Sequence, residues 1–129
     1  MIAVLFALLL LCPASAQAED WDRVEAVILA EAAGEPFEGQ QWVACTMFNR
    51  GWNLDGYSGA RRSDLEDFVR RQPEATRQSA KLALRSAPGF NCFGADHYVT
   101  TDLYHRKAGW WRKLTVVRVV GHHIFLKGE

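Results

Sequence analysis

The sequence predicts an α+β fold in which helices come first and a small antiparallel sheet comes last. Through residue 87, apolar side chains recur at the three- and four-residue spacing of helices. Beyond that point, β-branched and apolar residues form short runs separated by glycine, which is typical of strands. Helical segments followed by strand segments indicate an α+β layout. The chain of 129 residues suits one domain, which we place at residues 19–129.

Four helices are predicted from this spacing and from the residues that begin or end helices. Proline is tolerated in a first helical turn, and glycine commonly ends a helix. The helices are predicted to begin near Trp21, Glu38, Ser63 and Pro73. The fourth is expected to bury Ala80, Leu82, Ala83 and Leu84.

Three strands are predicted in the remaining part of the chain. The first is short and covers His97–Val99, and the second covers Leu114–Val120. Gly121 is predicted to turn the chain into a third strand at 122–127. His122 and His123 then point to opposite faces, so they are poorly placed to bind one metal ion together. No familiar zinc-binding pattern occurs, and we expect neither a metal nor a cofactor.

The N-terminus has the pattern of a secretory signal peptide. Residues 2–12 are almost all apolar, and small residues follow up to Ala18. The apolar run is shorter than the roughly 20 residues that span a bilayer. We therefore predict a signal peptide at residues 1–18 and a periplasmic or extracellular location. An uncleaved signal-anchor is the alternative, because no Lys or Arg precedes the apolar run.

Without that segment, the chain keeps two cysteines, Cys45 and Cys92. Small exported domains are often stabilised by disulfides. A disulfide between these residues and a pair of buried free thiols both remain open at this point.

The net charge of the chain is zero, but acids outnumber bases in residues 19–74 and bases outnumber acids in residues 75–129. The basic half would favour an anionic polymer such as a cell wall, or is simply a solvated face.

Glu31 is the main candidate for a catalytic residue. It shares one face of the first helix with Trp21, Val24 and Ile28, and that face is otherwise apolar. Burial there would raise the pKa of the Glu31 carboxyl. Cleavage of a glycosidic bond needs such a carboxylic acid, still protonated near neutral pH. The alternative is that Glu31 lies where the helix emerges into solvent.

The sequence predicts less specific roles for the other carboxylates and for the tryptophans. Glu35 could cap the second helix or line a cleft, and Glu38 fits the first turn of that helix, where a negative charge is favourable; structural roles are favoured for both. Trp21 and Trp42 are assigned to the core. In the Trp110-Trp111 pair, one ring is expected to face outward, which suits a saccharide groove.

Two blocks of sequence carry a resemblance to a known family. The first runs from Ala30 to Gln40 and continues through Val43-Ala44 and Asn49-Arg50. The second contains Gly94–Tyr98, Trp110 and Val120–Phe125. In this order the blocks resemble the SleB-type cell wall hydrolases, which include the spore-cortex-lytic enzymes. Together they cover about half of residues 19–129.

The resemblance implies a lysozyme-like fold related to lytic transglycosylases. It implies cleavage of peptidoglycan between N-acetylmuramic acid and N-acetylglucosamine, with Glu31 at the family's catalytic position. Such an enzyme needs one acid/base, which protonates the leaving oxygen and then assists attack by the muramic acid 6-hydroxyl. The product has a 1,6-anhydro end. The residues expected to bind the substrate are Gln40, His97, Tyr98, Trp110 and His122.

The chain also departs from the family pattern. Ala33 stands where family members commonly carry Arg, and the stretch from Trp52 to Phe90 matches poorly. A hydrolytic lysozyme or endolysin (a muramidase) and a non-catalytic peptidoglycan-binding module therefore remain alternatives. The expected partner is peptidoglycan. Binding to nucleic acid is not expected, nor is stable membrane insertion after removal of the signal peptide.

Overall fold

A computed structural model describes residues 16–129 of the chain, and for residues 16–20 only the backbone. The predicted signal peptide falls mainly on residues 1–15, which lie outside the described residues. Within the described part, no helix is both long enough and apolar enough to cross a membrane.

The described residues form five α-helices and a small three-stranded sheet. The first strand lies between the fourth and fifth helices and the other two strands come last, so the predicted α+β layout is confirmed. The four predicted helices are present, with boundaries shifted by a few residues. A fifth, short helix was not predicted; its first turn is capped by the Thr100 hydroxyl, which accepts the Leu103 N–H. The helices are α1 (Ala16–Ala32), α2 (Phe37–Asn49), α3 (Leu65–Arg71), α4 (Glu74–Ser86) and α5 (Thr101–Arg106).

Helix α2 is the centre of the helical layer and packs against α1 and α4. Nearly all of its residues from 39 to 47 are buried, as its apolar composition predicts. Trp42 joins this layer to the sheet, because its ring lies 5.1 Å from the ring of Phe125 and 6.0 Å from that of Phe90. The core is therefore continuous from the helices to the sheet.

The sheet is antiparallel and has the strand order β1-β3-β2. Its strands are β1 (His97–Thr100), β2 (Thr115–Val120) and β3 (His123–Lys127). The central strand β3 is buried from His123 to Leu126. Gly121 turns the chain between β2 and β3 with a φ of +57°, a conformation that favours glycine. His122 lies in this turn rather than in the strand, because β3 begins one residue later than predicted.

Cys45 and Cys92 form a disulfide, which decides between the two alternatives left open by the sequence. The bond joins the middle of α2 to the loop that leads into β1. Asn49 supports the same connection, because its side-chain amide donates to the carbonyl of Ala95 at 2.9 Å and to Cys92 Sγ at 3.3 Å. The start of the sheet is therefore anchored to the helical layer.

Two predictions about the core were wrong. Leu82 was assigned to the inner face of α4 but is 56% exposed. Helix α4 packs inward through the small side chains of Ala80 and Ala83, which places the side chain of Leu82 on the outside. Trp21 was assigned to the core but is 41% exposed, and it packs edge-on against Trp52 at the surface.

Candidate active site

A cleft of about 470 Å³ opens between the end of α1, the loop around residues 56–58 and strands β1 and β3. This volume is within the usual range of small-molecule sites. Its lining includes Glu31, Arg50, Tyr57, Tyr98, Trp110 and His123. Glu31 is the only carboxylate among the described residues that line it. The cleft therefore presents one acid among aromatic, imidazole and guanidinium groups.

The side chain of Glu31 is held at the end of the buried face of α1. Its Oε1 accepts the backbone N–H of Gly59 at 2.9 Å and the hydroxyl of Ser58 at 3.3 Å. Gly59 permits this approach, because a Cβ there would come within 2.8 Å of Cβ of Ala30. The sequence pattern explains the position: the side chains of Val24 and Ile28 are buried on the same helix face, and Glu31 follows them into the cleft.

Tyr98 lies beside Glu31 at the base of the cleft. Burial raises the pKa of its hydroxyl well above the ordinary value, and the negative charge of Glu31 raises it further. The phenol therefore stays protonated at neutral pH. Its ring packs against the rings of His123 at 4.8 Å and Tyr57 at 5.9 Å.

His97 and Trp110 form the far wall of the cleft, and their rings lie 5.3 Å apart. Nδ1 of His97 lies 2.8 Å from Oδ1 of Asp96. Burial tends to raise the pKa of Asp96, but the N–H of Gly128 and the imidazole of His97 together lower it below its ordinary value. A charged Asp96 thus fixes the orientation of the His97 ring. Trp110 is exposed and Trp111 is buried, as predicted for this pair.

Two of the residues expected to bind the substrate do not line the cleft. Gln40 is buried beneath the end of α1, where its amide donates to the carbonyl of Ala32 at 3.5 Å. The side chain of His122 is 84% exposed beside Glu35, outside the cleft. The structure thus brings Glu31, His97, Tyr98 and Trp110 together, and leaves Gln40 and His122 apart.

His123 lines the cleft but was not among the predicted site residues. Its side chain is 8% exposed and packs between Tyr98 and Glu35. Alternation along β3 could not identify it, because His123 shares one face with Phe125 while His122 shares the other with Ile124. Both faces are apolar, so only the packing of the strand shows which histidine points inward.

Arg50 also lines the cleft without having been predicted as a site residue. Its guanidinium lies 4.7 Å from the centre of the Tyr57 ring and also donates to the carbonyl of Asp55. These contacts hold a positive charge at the cleft edge. The sequence signal was present in the Asn49-Arg50 pair, but no local pattern indicates where the side chain of Arg50 lies.

The described residues include no group of three or more His, Cys, Asp or Glu side chains placed to hold a metal ion. The side chains that line the cleft provide a carboxylate at Glu31, hydrogen-bonding imidazole and phenol groups, and aromatic rings on which a ligand can stack.

The buried position of His123 predicts a pH-dependent stability. Burial lowers the pKa of its imidazole below the ordinary value of 6.5. The negative charges of Glu35 and Glu31 raise this pKa, and His122 lowers it slightly, so that the net shift is downward. Unfolding then takes up a proton below about pH 6.5, so the free energy of unfolding falls as pH decreases through that value. We expect the melting temperature to drop between pH 7 and pH 5, and His123→Gln to weaken that drop.

The exposed His105 of α5 provides the matched control for this measurement. His105→Gln should keep the pH dependence of the wild type. An unchanged pH dependence in His123→Gln would contradict the assignment to His123.

These features define the class of the protein: an α+β domain with a cleft in which one carboxylate is placed among aromatic side chains. No family profile matches the sequence, and no curated protein matches it. Solved structures do match. The catalytic domain of the germination-specific lytic transglycosylase SleB from Bacillus anthracis is 24% identical, with a TM-score of 0.63, over 90% of this chain and 100% of that chain. The catalytic domain of SleB from Bacillus cereus is 21% identical, with a TM-score of 0.58, over 85% of this chain and 91% of that chain.

These likenesses show that the chain has the lysozyme-like fold of the SleB catalytic domain, which confirms the predicted fold class. The solved structures that share this fold are SleB catalytic domains, and the two sequence blocks resemble the SleB-type cell wall hydrolases.

Proposed function

We propose that the protein cleaves the glycan strands of peptidoglycan between N-acetylmuramic acid and N-acetylglucosamine. The observation that carries this proposal is the carboxylate of Glu31, held by the N–H of Gly59 in an aromatic cleft. The fold supports it, because both similar structures are catalytic domains of SleB and the first is described as a lytic transglycosylase.

In this proposal Glu31 acts first as an acid and then as a base. It donates its proton to the glycosidic oxygen of the departing sugar, and the glycosidic bond breaks. The resulting carboxylate then accepts the proton of the muramic acid 6-hydroxyl while that oxygen bonds to C1. The product is a 1,6-anhydromuramic end, and Glu31 is protonated again.

The composition of the cleft favours this reaction over hydrolysis. Hydrolytic glycosidases commonly use two carboxylates, about 5 to 9.5 Å apart, on either side of the scissile bond. Among the described residues that line the cleft, only Glu31 is a carboxylate. Glu35 is the next acidic residue along the chain, but its side chain is buried behind His123. An intramolecular attack by the sugar itself requires no second carboxylate.

Mass spectrometry of purified sacculi digested by the protein tests the reaction. A lytic transglycosylase releases muropeptides with anhydromuramic ends. Reducing muramic ends would instead identify a muramidase. Binding to sacculi without release of any product would identify a peptidoglycan-binding module and overturn the catalytic proposal.

The same proposal includes the location of the protein. We infer that residues 1–18 direct export and that residues 19–129 act in the periplasm or outside the cell. The Cys45–Cys92 disulfide supports this inference, because disulfides form and persist in oxidising compartments. N-terminal sequencing of the exported protein tests it, and a chain that begins at Met1 would show that the segment is retained.

Trp110 is expected to bind a sugar ring by stacking. Stacking on an aromatic ring contributes about 0.5–1.5 kcal/mol, so Trp110→Ala should weaken substrate binding by roughly two- to tenfold. The effect should appear mainly in KM, since Trp110 lies on the far wall from Glu31. Trp21→Ala is the matched control, because Trp21 is a similarly exposed tryptophan outside the cleft. Equal losses in both variants would contradict a specific role for Trp110.

A further inference from the structure

The carboxylate of Glu35 is buried, although it lies in the loop between α1 and α2. Its side chain is only 7% exposed. Two glycines make room for it. A Cβ on Gly39 would lie 2.9 Å from Cβ of Glu35, and a Cβ on Gly121 would lie 1.9 Å from its Oε2. Any larger residue at Gly121 would displace the carboxylate.

The groups around this carboxylate come mainly from the turn between β2 and β3 and the start of β3. The backbone N–H of His122 donates to Oε1 at 3.2 Å and lies 3.3 Å from Oε2. The exposed imidazole of His122 approaches Oε1 from the solvent side, with its Nδ1 at 3.1 Å. From the inner side, Nδ1 of His123 lies 3.5 Å from the same oxygen.

His123 connects Glu35 to the cleft. Its Nδ1 is buried and makes no hydrogen bond within normal limits to any described residue, so the nearby Oε1 of Glu35 is the acceptor available to it. The same ring lines the cleft together with Glu31 and Tyr98. A shift of a few tenths of an ångström would bring Nδ1 and Oε1 to hydrogen-bond distance.

The imidazole is neutral at neutral pH, because burial lowers its pKa. A neutral imidazole has one N–H and one acceptor nitrogen, and the hydrogen bond at one nitrogen decides the role of the other. A carboxylate can only accept, so it selects the form in which Nδ1 carries the proton. Nε2 is then an acceptor.

We propose that Glu35 is a positioning residue that holds His123 in the Nδ1–H tautomer, so that Nε2 accepts a hydrogen bond from a hydroxyl or amide N–H of the bound glycan. This inference rests on the proposed function for the identity of the ligand. The pairing of Glu35 with His123 does not depend on it.

The tautomer can be measured directly in the uniformly ¹⁵N-labelled protein. Long-range ¹H–¹⁵N correlation spectra distinguish the two neutral tautomers by the chemical shifts of Nδ1 and Nε2. The wild type should show His123 as the Nδ1–H form. In Glu35→Gln the neutral amide can present either its oxygen or its NH2 group to Nδ1, so the preference for the Nδ1–H form should fall and the Nε2–H form should become populated. A wild-type His123 in the Nε2–H form overturns the proposal without any variant.

A double-mutant cycle tests whether Glu35 acts through His123. Glu35→Gln should lower kcat/KM by up to roughly tenfold, because in the Nε2–H form of His123 a donor faces the substrate group that needs an acceptor. In a His123→Asn background the same substitution should have little further effect. A merely structural role of Glu35 would give the same loss in both backgrounds, and that result would contradict the proposal.

Glu38→Gln is the matched control. Glu38 is the next acidic residue after Glu35 in the chain and is exposed, with Arg118 at 3.8 Å. The Glu38→Gln variant should keep both the wild-type tautomer and the wild-type activity.

If the protein releases no product from sacculi, the proposed function fails, while the spectra still decide the pairing of Glu35 with His123. If product is released and the tautomer is as expected but Glu35→Gln is fully active, the positioning role fails alone.

Discussion

Glu31→Gln is expected to lower the rate of glycan-strand cleavage by about a thousandfold, within the range that general acid–base catalysis contributes. Glutamine has nearly the same shape as glutamate, but it cannot donate a proton to the glycosidic oxygen at neutral pH. Its amide oxygen can still accept the N–H of Gly59 and the hydroxyl of Ser58, which hold Oε1 in the wild type. The variant should therefore fold and bind sacculi normally. The rate of anhydromuropeptide release, followed by chromatography and mass spectrometry, measures the loss.

Glu25→Gln is the control for this substitution. Glu25 is also a partly buried glutamate on α1, but it lies near Lys81 and outside the cleft. Its replacement should leave the rate of release within about twofold of the wild type, as expected for a residue remote from the reacting atoms. A Glu31→Gln protein that clears sacculi as fast as the wild type would show that another group supplies the proton.

Loss of the disulfide is expected to have the largest effect on stability. The two cysteines are 47 residues apart in the sequence, and a loop of that length predicts a loss of about 4 kcal/mol in the free energy of unfolding when both become alanine. For a domain of this size, that loss corresponds to a fall in Tm of roughly 15 °C. The bond fixes the loop before β1 to α2, so the start of the sheet should open first on heating.

Thermal unfolding of the double variant, followed by circular dichroism, measures this effect. Treatment of the wild type with a reducing agent is the control, because it breaks the same bond without changing a residue. Both samples should melt at similar temperatures, well below the oxidised wild type. A double variant that melts within about 2 °C of the oxidised protein would contradict a stabilising role.

The helices and strands could be predicted because their signals are local. The apolar residues of α1 recur at helical spacing, the glycines and prolines fall at helix ends, and the β-branched run before Gly121 has no helical alternative. The prediction failed where the local signal was ambiguous. Trp21 fits the buried face of α1 by spacing, but it packs against Trp52 at the surface and stays 41% exposed. Leu82 was misplaced because α4 packs through alanines.

The candidate site shows the same division. Periodicity alone predicted that Glu31 follows a buried apolar stripe. The Trp110-Trp111 pair predicted one outward ring, and the structure shows that this ring is Trp110. Both predictions depend on a single segment of the chain. The residues that meet in the cleft come from α1, the loop at 56–58, β1, β3 and the turn at Trp110.

Which of these residues meet depends on contacts between distant parts of the chain, which are visible only in the folded structure. The folded structure places His123 in the cleft and His122 in solvent, buries Gln40 beneath α1, and encloses the carboxylate of Glu35 between Gly39 and Gly121. The physical reason is that strand β3 is apolar on both faces, so alternation cannot give its orientation. That orientation depends on pairing with β1 and on packing against α2, which are contacts between residues far apart in the chain.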